Sequence, residues 1–175
     1  MISSPVTTIG YAAIKQISRS DLKEESRLSS YQANFQRSNF EILRLKDDIS
    51  EHFEVYLHGD LLGGFRLTPV GSGQSEIEQV FVGCSFAENS FELGRLWVVH
   101  HRRGLGWYQG RIVFQFLEQN DIHVYYKTSK SLGDATRRFG TSFLQKSGWN
   151  DNLKYKCFLF SNKPSTDESI SISVI

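Results

Sequence analysis

The sequence predicts an α/β domain of the α+β kind, in which helices flank a central sheet that is largely antiparallel. Two patterns carry this prediction. Strand-forming residues at 53–58 and 63–69 lie on either side of the turn signal Gly59-Asp60, which is typical of an antiparallel hairpin. A third strand pattern, at 93–99, passes through a basic turn containing glycines into a helical pattern. A hairpin followed by strand, helix and further strands indicates a mixed sheet.

The other elements are predicted from apolar spacing and end signals. Residues 1–8 are polar and are expected to be flexible, and a strand is predicted at 11–17. A cap signal at 18–21 begins a helix that is expected to end near Asn39. Residues 76–86 fit either a short helix or a strand. The rest of the chain is predicted to contain a helix through Tyr108 and Phe116, strands at 123–127 and 155–160, a helix at 131–146, and a turn within 161–175 that leads to a final strand or a frayed tail.

Length and composition predict a single domain over 1–175. The chain is 39% hydrophobic, and its 20 basic side chains are nearly balanced by 19 acidic ones. A general nucleic-acid or membrane-surface binder usually has a larger basic excess, so neither class is expected. No apolar run is long enough to span a membrane, and the N-terminus does not resemble a secretory signal. A soluble, cytoplasmic protein is therefore expected.

Cysteine and histidine spacing predicts no metal site. Cys84 and Cys157 lie far apart in unrelated contexts. Cys157 is in an apolar run and is expected to be a small buried hydrophobic residue. His100 and His101 are adjacent, so they cannot share a helix face, and no acid or cysteine lies nearby in sequence.

The stretch 92–110 is where the sequence predicts a binding site. Between Arg95 and Arg111 there are four arginines, two histidines and no acidic residue. A strand that turns into a helix directs backbone N–H groups and the positive helix end at one place, which suits a phosphate or pyrophosphate. Gly104 and Gly106 let the chain approach such a ligand closely. The alternative is an ordinary strand-to-helix connection that carries glycine and charge.

This stretch resembles the acyl-CoA loop of the GNAT family of N-acyltransferases. In that family a valine-rich strand runs into Arg/Gln-x-x-Gly-x-Gly/Ala. Here Val98 and Val99 end the strand, and Arg103 and Gly106 match the loop pattern. The last position of the pattern is Tyr108 rather than a small residue.

Two further features resemble the same family. Residues 143–149, Phe-Leu-Gln-Lys-Ser-Gly-Trp, resemble a segment in which a helix ends on a glycine and an aromatic residue. The order of elements between 11 and 160 also follows the family. Many members have a tyrosine general acid four residues before that glycine. Leu144 occupies this position here, so the resemblance implies that the leaving thiolate lacks its usual proton donor.

A narrower resemblance links the chain to the autoinducer synthases, which make acyl-homoserine lactones and share the GNAT core. Residues 56–69 resemble their Tyr-Leu strand and Arg-Leu-Leu-Pro strand end, with Arg66 as the arginine. Glu92-Leu-Gly-Arg95-Leu resembles their Glu-x-Ser-Arg-Phe, with Gly94 in the place of serine.

The N-terminal part of this resemblance is partial. Asp48 and Glu51 occupy the places of an Asp-x-x-Asp pair. Phe35 aligns with the phenylalanine of an Arg-x-x-x-Phe pattern, but Tyr31 then takes the arginine position. This part of the family helps to shape the substrate region.

The resemblance implies an enzyme that transfers an acyl group from a thioester to a small-molecule amine by direct attack. The implied donor is acyl-CoA or an acyl group on acyl-carrier protein, with no metal. The basic patch would either bind the phosphates of CoA or dock an acidic carrier protein. The residues expected to hold the thioester are Val98, Val99, Arg102, Arg103, Gly104, Leu105 and Gly106, and those expected to bind substrate are Arg66, Arg95 and Phe35.

Glu92 is the candidate general base. A carboxylate at the start of a buried strand is costly unless it is partnered, and it can accept a proton from an ammonium nucleophile. Its alternative role is an ion pair with Arg66 or Arg95 that fixes the strand ends. These two arginines, one on each strand, are also able to converge on a carboxylate or phosphate of a ligand.

A second function class is consistent with the same residues. The departures at Gly94, Tyr108 and Leu144 leave open, as the alternative, a non-catalytic GNAT-fold module that binds an acyl thioester or a protein partner. Turnover of a thioester in the presence of amines distinguishes the two classes.

Overall fold

A computed structural model of the protein describes residues 6–18, 48–99, 104–128, 136, 143–150 and 155–164. Within this part, the strands form one eight-stranded sheet in the order β1-β2-β3-β4-β5-β6-β8-β7. All neighbouring strands are antiparallel except β5 and β6, which are parallel. The predicted α/β class with a largely antiparallel sheet is confirmed. The elements are β1 (Val6–Ile9), β2 (Ala12–Ile17), β3 (Glu51–Leu57), β4 (Asp60–Pro69), α1 (Glu76–Val80), β5 (Phe91–Val98), α2 (Leu105–Gln119), β6 (Val124–Thr128), β7 (Phe143–Asn150) and β8 (Tyr155–Ser161).

The helices α1 and α2 cover opposite faces of the sheet. Val124 belongs to the main apolar cluster, which α2 covers, whereas Tyr125 packs with Ile77 of α1 in a second cluster. Because successive strand residues point to opposite sides, these clusters define an α2 face and an α1 face. The side chains that α2 contributes to the main cluster are Leu105, Ile112, Val113, Phe116 and Leu117.

Two expected elements are wrong where the structure describes them. Residues 143–146 do not end a helix but begin β7, which pairs with β8 along its length. The expected flexible N-terminus contains β1, which forms a hairpin with β2 through Gly10 at φ 58°. In both places, backbone pairing with a neighbouring strand overrides a local pattern that does not reveal the partner.

Other expectations are resolved or lie beyond the described part. Residues 76–86 contain the short helix α1, followed by irregular structure. Cys157 is completely buried, as predicted. The helix expected between 18 and Asn39 and the strand or tail expected at 169–175 lie outside the described residues, so the single domain over 1–175 stays a prediction.

The start of β6 is joined to the end of β8 by side chains. The His123 Nε2 and Ser161 Oγ atoms lie 2.8 Å apart. The Asn162 side-chain amide makes two hydrogen bonds to the backbone at the start of β6. It accepts from Val124 N and donates to the Ile122 carbonyl, each at 2.8 Å. Burial lowers the pKa of His123 below its ordinary 6.5, and the Lys163 ammonium lowers it further.

Acidification from about pH 7.5 to about pH 5.5 is expected to lower the free energy of unfolding through His123. The unfolded chain binds a proton at this position near pH 6.5, but the folded chain does so only at lower pH. In this window the unfolded state therefore binds more protons than the folded state, so the free energy of unfolding decreases as the pH is lowered. Urea denaturation at several pH values in this window measures the effect. The free energy of unfolding should depend less steeply on pH in His123→Gln, which retains a hydrogen-bonding amide, than in wild type. A pH dependence of stability in His123→Gln that equals that of wild type would contradict the assignment.

Candidate functional site

A fork opens in the sheet between β5 and β6. The parallel ladder between these strands consists of Phe91 opposite Val124 and Glu92 opposite Tyr125. Beyond these positions β5 continues along β4 to Val98, whereas β6 continues along β8 to Thr128. We call the space between residues 93–98 of β5 and residues 126–128 of β6 the fork.

A β-bulge in β5 lies beside the fork. Gly64 pairs with Trp97 and Arg66 pairs with Gly94, so Arg95 and Leu96 together oppose Phe65. Arg95 has φ 47°, a left-handed conformation that is uncommon for a residue other than glycine. A bulge bends its strand and increases the local twist, which helps β5 to separate from β6.

Glu92 lies at the base of the fork and is only 6% exposed. Its Oε2 accepts hydrogen bonds from Ser75 Oγ at 2.8 Å and from the backbone N–H of Glu76 at 2.6 Å. A longer contact joins the same oxygen to the N–H of Ile77 at 3.4 Å. The carboxylate therefore satisfies donors at the first turn of α1, where negative charge is favourable. The sequence patterns did not reveal this contact, because Ser75 and Glu92 are 17 residues apart.

Arg66 reaches the same place from β4. It is 2% exposed, and its backbone pairs with Gly94 of β5. A Cβ atom at Gly94 would lie 3.3 Å from Arg66 Nη2 and 3.8 Å from Glu92 Oε1. The absence of a side chain at Gly94 thus makes room for the guanidinium group. Arg66 Nη2 and Glu92 Oε1 therefore both lie beside Gly94, while Glu92 Oε2 is held by α1.

The α1 face of the central strands is unusually polar. His52, Glu54, Arg66 and Thr68 are all at least 96% buried, and strand alternation and register put them on the same face as Glu92. The Tyr56 hydroxyl donates to Glu54 Oε2 at 2.6 Å. Buried polar groups are costly unless partnered, so this face contrasts with the apolar α2 face. His52 and Glu54 were not predicted as site residues, and Tyr56 was noted only as the start of a motif, although their alternation with Phe53 and Val55 was a usable signal.

The predicted phosphate loop leads into a long helix. Val98 ends β5, and the Val99 N–H donates to the Leu62 carbonyl at 2.8 Å. Gly104, with φ 91°, precedes α2 in a conformation that suits glycine. The first turn of α2 contains no acidic residue. Arg102 and Arg103, like Phe35, lie outside the described residues.

Two residues that depart from the family patterns, Tyr108 and Leu144, lie on α2 and in β7. Tyr108 is 43% exposed on the first turn of α2, and its neighbour Trp107 is 42% exposed. Leu144 is part of β7 and packs with the cluster of Phe114, Tyr126 and Phe160. The position compared with a helical general acid is therefore in a strand.

Comparison with solved structures identifies the architecture. No protein-family model matches the sequence, and no curated protein matches it at a significant level. An acyl-CoA N-acyltransferase from Pseudomonas aeruginosa matches with 16% identity and a TM-score of 0.58, over 87% of this chain and 99% of that one. A GNAT family acetyltransferase from Elizabethkingia anophelis, with acetyl-CoA bound, matches with 9% identity and a TM-score of 0.54, over 89% and 100%. The CoA-dependent acyl-homoserine lactone synthase BjaI, with SAM and isopentyl-CoA, matches with 18% identity and a TM-score of 0.61, over 87% and 84%.

The chain has the GNAT fold. The resemblance inferred from the loop at 98–106 and the order of elements is confirmed at the level of the fold. Within the described part of this GNAT-fold chain, no group of three His, Cys, Asp or Glu side chains is placed to hold a metal ion. Nor does that part contain a helix long and apolar enough to cross a membrane.

Proposed function

We propose that the protein is a GNAT-type N-acyltransferase that moves an acyl group from a thioester to a small-molecule amine by direct attack. The observation that carries the proposal is the fork, with buried Glu92 and Arg66 at its base and the glycine-bearing start of α2 beyond its β5 strand. An extended chain with a charged end fits such a site, because strand edges and helix N-termini offer backbone hydrogen-bonding groups.

The thioester is assigned to the fork and to the loop that follows it. Its arm lies along residues 93–99 of β5, and its phosphates lie at the N-terminus of α2. Gly104 and Gly106 allow a ligand to approach the backbone closely, and a Cβ at either position would meet no atom of the described part of the chain within 4 Å. Arg102 and Arg103 precede this turn in sequence and supply positive charge.

Proton transfer is assigned to Glu92. The carboxylate accepts a proton from the acceptor's ammonium group, and the neutral amine then attacks the thioester carbonyl. A C–N bond forms, the C–S bond breaks, and the second proton lost by nitrogen ends on the departing thiolate, so that atoms and charge balance. Arg66 and Arg95 hold an anionic part of the substrate, while Glu92 Oε2 keeps the base aligned through its contacts with α1.

Autoinducer-synthase-like chemistry is the form of this function that we favour. The solved structure of BjaI, a CoA-dependent acyl-homoserine lactone synthase, contains SAM and isopentyl-CoA. Similar motifs in this chain surround Arg66, Glu92 and Arg95, and Phe35 is assigned to the same substrate region. The donor is acyl-CoA or acyl-carrier protein. We infer that the protein works in the cytoplasm, where both donors are made.

Release of free thiol tests the function. Purified protein is mixed with acyl-CoA or acyl-carrier protein, with and without a pool of primary amines, and both thiol and acylated amine are measured. The proposal expects amine-dependent thiol release and an equal amount of amide. Binding of the thioester without turnover of any donor would refute the enzyme and identify a non-catalytic binding module.

Gly106→Ala is expected to weaken CoA binding by about tenfold, which corresponds to about 1.4 kcal/mol. A Cβ here meets no atom of the described residues within 4 Å, and this open space is the one assigned to the ligand. The same methyl group should raise the free energy of unfolding by up to about 1 kcal/mol, because alanine is a better helix former than glycine. Calorimetric titration with CoA and urea denaturation measure the two effects. Unchanged CoA affinity in a stable variant would show that the phosphates bind elsewhere.

A further inference from the structure

Gln109 is a buried amide on α2 that is only partly satisfied. The residue is completely buried, and its Nε2 donates to the Gly64 carbonyl of β4 at 3.2 Å. Its Oε1 has no hydrogen-bond partner among the described residues. The orientation of the amide follows from Gly64, since exchanging its two ends would place Oε1 against a carbonyl oxygen. Buried polar side-chain atoms without any hydrogen-bond partner are uncommon in folded proteins, and a bound group that supplies a donor would account for this one.

The backbone around Gln109 is shaped to leave room for this amide. A Cβ at Gly63 would lie 2.8 Å from Gln109 Oε1 and 2.9 Å from Nε2. The same Cβ would lie 1.9 Å from the carbonyl oxygen of Trp97. Gly63 therefore lets β4, the end of β5 and the amide of Gln109 meet at close range.

The location of Gln109 connects it to the proposed thioester path. It is five positions after Gly104 and three after Gly106, within the first turns of α2. The residue that receives its hydrogen bond, Gly64, pairs with Trp97 on the fork-bordering part of β5. The amide therefore packs against β4 where β4 pairs with β5, and it belongs to the helix whose first turn is assigned to the phosphates of the thioester.

We propose that Gln109 Oε1 accepts a hydrogen bond from an amide N–H of the pantetheine arm. This inference rests on the proposed function, because it assigns a partner to the same thioester. The arm contains two secondary amides and is common to CoA and to carrier-protein thioesters. Gln109 is then a recognition residue that distinguishes an amide-bearing arm from a simple alkyl thioester.

Gln109→Met tests the assignment, because methionine keeps the side-chain length and removes both polar atoms. Three donors with the same acyl group are compared: acyl-CoA, acyl-carrier protein and the thioester of 2-mercaptoethanol, which has no amide. We expect KM for the arm-bearing donors to rise about fivefold, with kcat little changed, as suits one neutral hydrogen bond. The amide-free donor should be used equally by wild type and variant. If wild type uses only one of the two arm-bearing donors, the rise with that donor supports the inference, whereas a rise with only one of two donors that wild type uses would contradict it, because both carry the same arm.

An equal loss with all three donors would overturn the inference and make Gln109 purely structural. Gln109→Asn, which keeps an amide but withdraws it by one methylene, is a second variant if the methionine variant does not fold.

Equilibrium binding separates this inference from the proposed function. Whether or not wild type shows turnover, either variant should weaken binding of CoA but not of adenosine 3′,5′-bisphosphate, which lacks the arm. Equal binding of CoA by wild type and a folded variant contradicts the inference.

Discussion

Glu92→Gln is expected to lower turnover at least about 100-fold while the protein remains folded. Glutamine keeps an oxygen that can accept from Ser75 Oγ and Glu76 N, so the contact with α1 survives. It cannot accept the proton of the acceptor's ammonium group. Steady-state thiol release and amide formation measure turnover, and circular dichroism with urea denaturation verifies the fold.

Ser75→Ala is the matched control for this variant. It removes one donor to Glu92 Oε2 but leaves the carboxylate in place. The expected cost is about 1 kcal/mol in the free energy of unfolding, with turnover within a few-fold of wild type. If Glu92→Gln turns over normally, Glu92 is a structural partner of α1 and Arg66, and the proton acceptor is another group.

Gly63→Ala is expected to lower the free energy of unfolding by at least about 3 kcal/mol. Its Cβ would lie 1.9 Å from the Trp97 carbonyl oxygen, a backbone atom that cannot move without displacing β5. The Gln109 amide would also be displaced from its position against β4. Urea denaturation should show a much lower midpoint or no folded baseline.

Gly106→Ala serves as the control for Gly63→Ala, because the same substitution there meets no neighbour among the residues that the structure describes and is predicted to be neutral or stabilising. A Gly63→Ala protein as stable as wild type would show that β4 and β5 are farther apart at this point than the structure places them. A lowered thioester affinity in any folded Gly63→Ala protein is a further expected result, since β5 borders the fork.

Local sequence signals were sufficient for the centre of the fold. The hairpin of β3 and β4 has a turn signal at Gly59-Asp60, and it forms as predicted. The helix α2 has apolar residues at helical spacing and a glycine before its first turn, and it begins at Leu105. In these places the short-range pattern and the tertiary packing favour the same structure, so prediction succeeds.

Features that depend on distant partners were not predictable in this way. Residues 143–146 have helix-compatible spacing, yet pairing with β8 makes them a strand. The β5 bulge at Arg95 depends on the register with Phe65 of β4, which no local pattern specifies. Within the site, motif similarity proposed Glu92 and Arg66 but could not show that Ser75 holds the carboxylate. Gln109 could not be identified from the sequence, because it is distinguished only by its complete burial and by a side-chain oxygen without a hydrogen-bond partner among the described residues.

Amide hydrogen exchange with and without a non-hydrolysable acyl-CoA thioether tests most directly whether the thioester occupies the fork. Backbone amides of β5 from Leu93 to Val98 and of the first turn of α2 should exchange more slowly when the analogue is bound. Amides of β1 and β2, at the far end of the sheet, should be unaffected. Tight binding that protects β1 and β2, or leaves both β5 and α2 unprotected, would contradict the placement of the thioester.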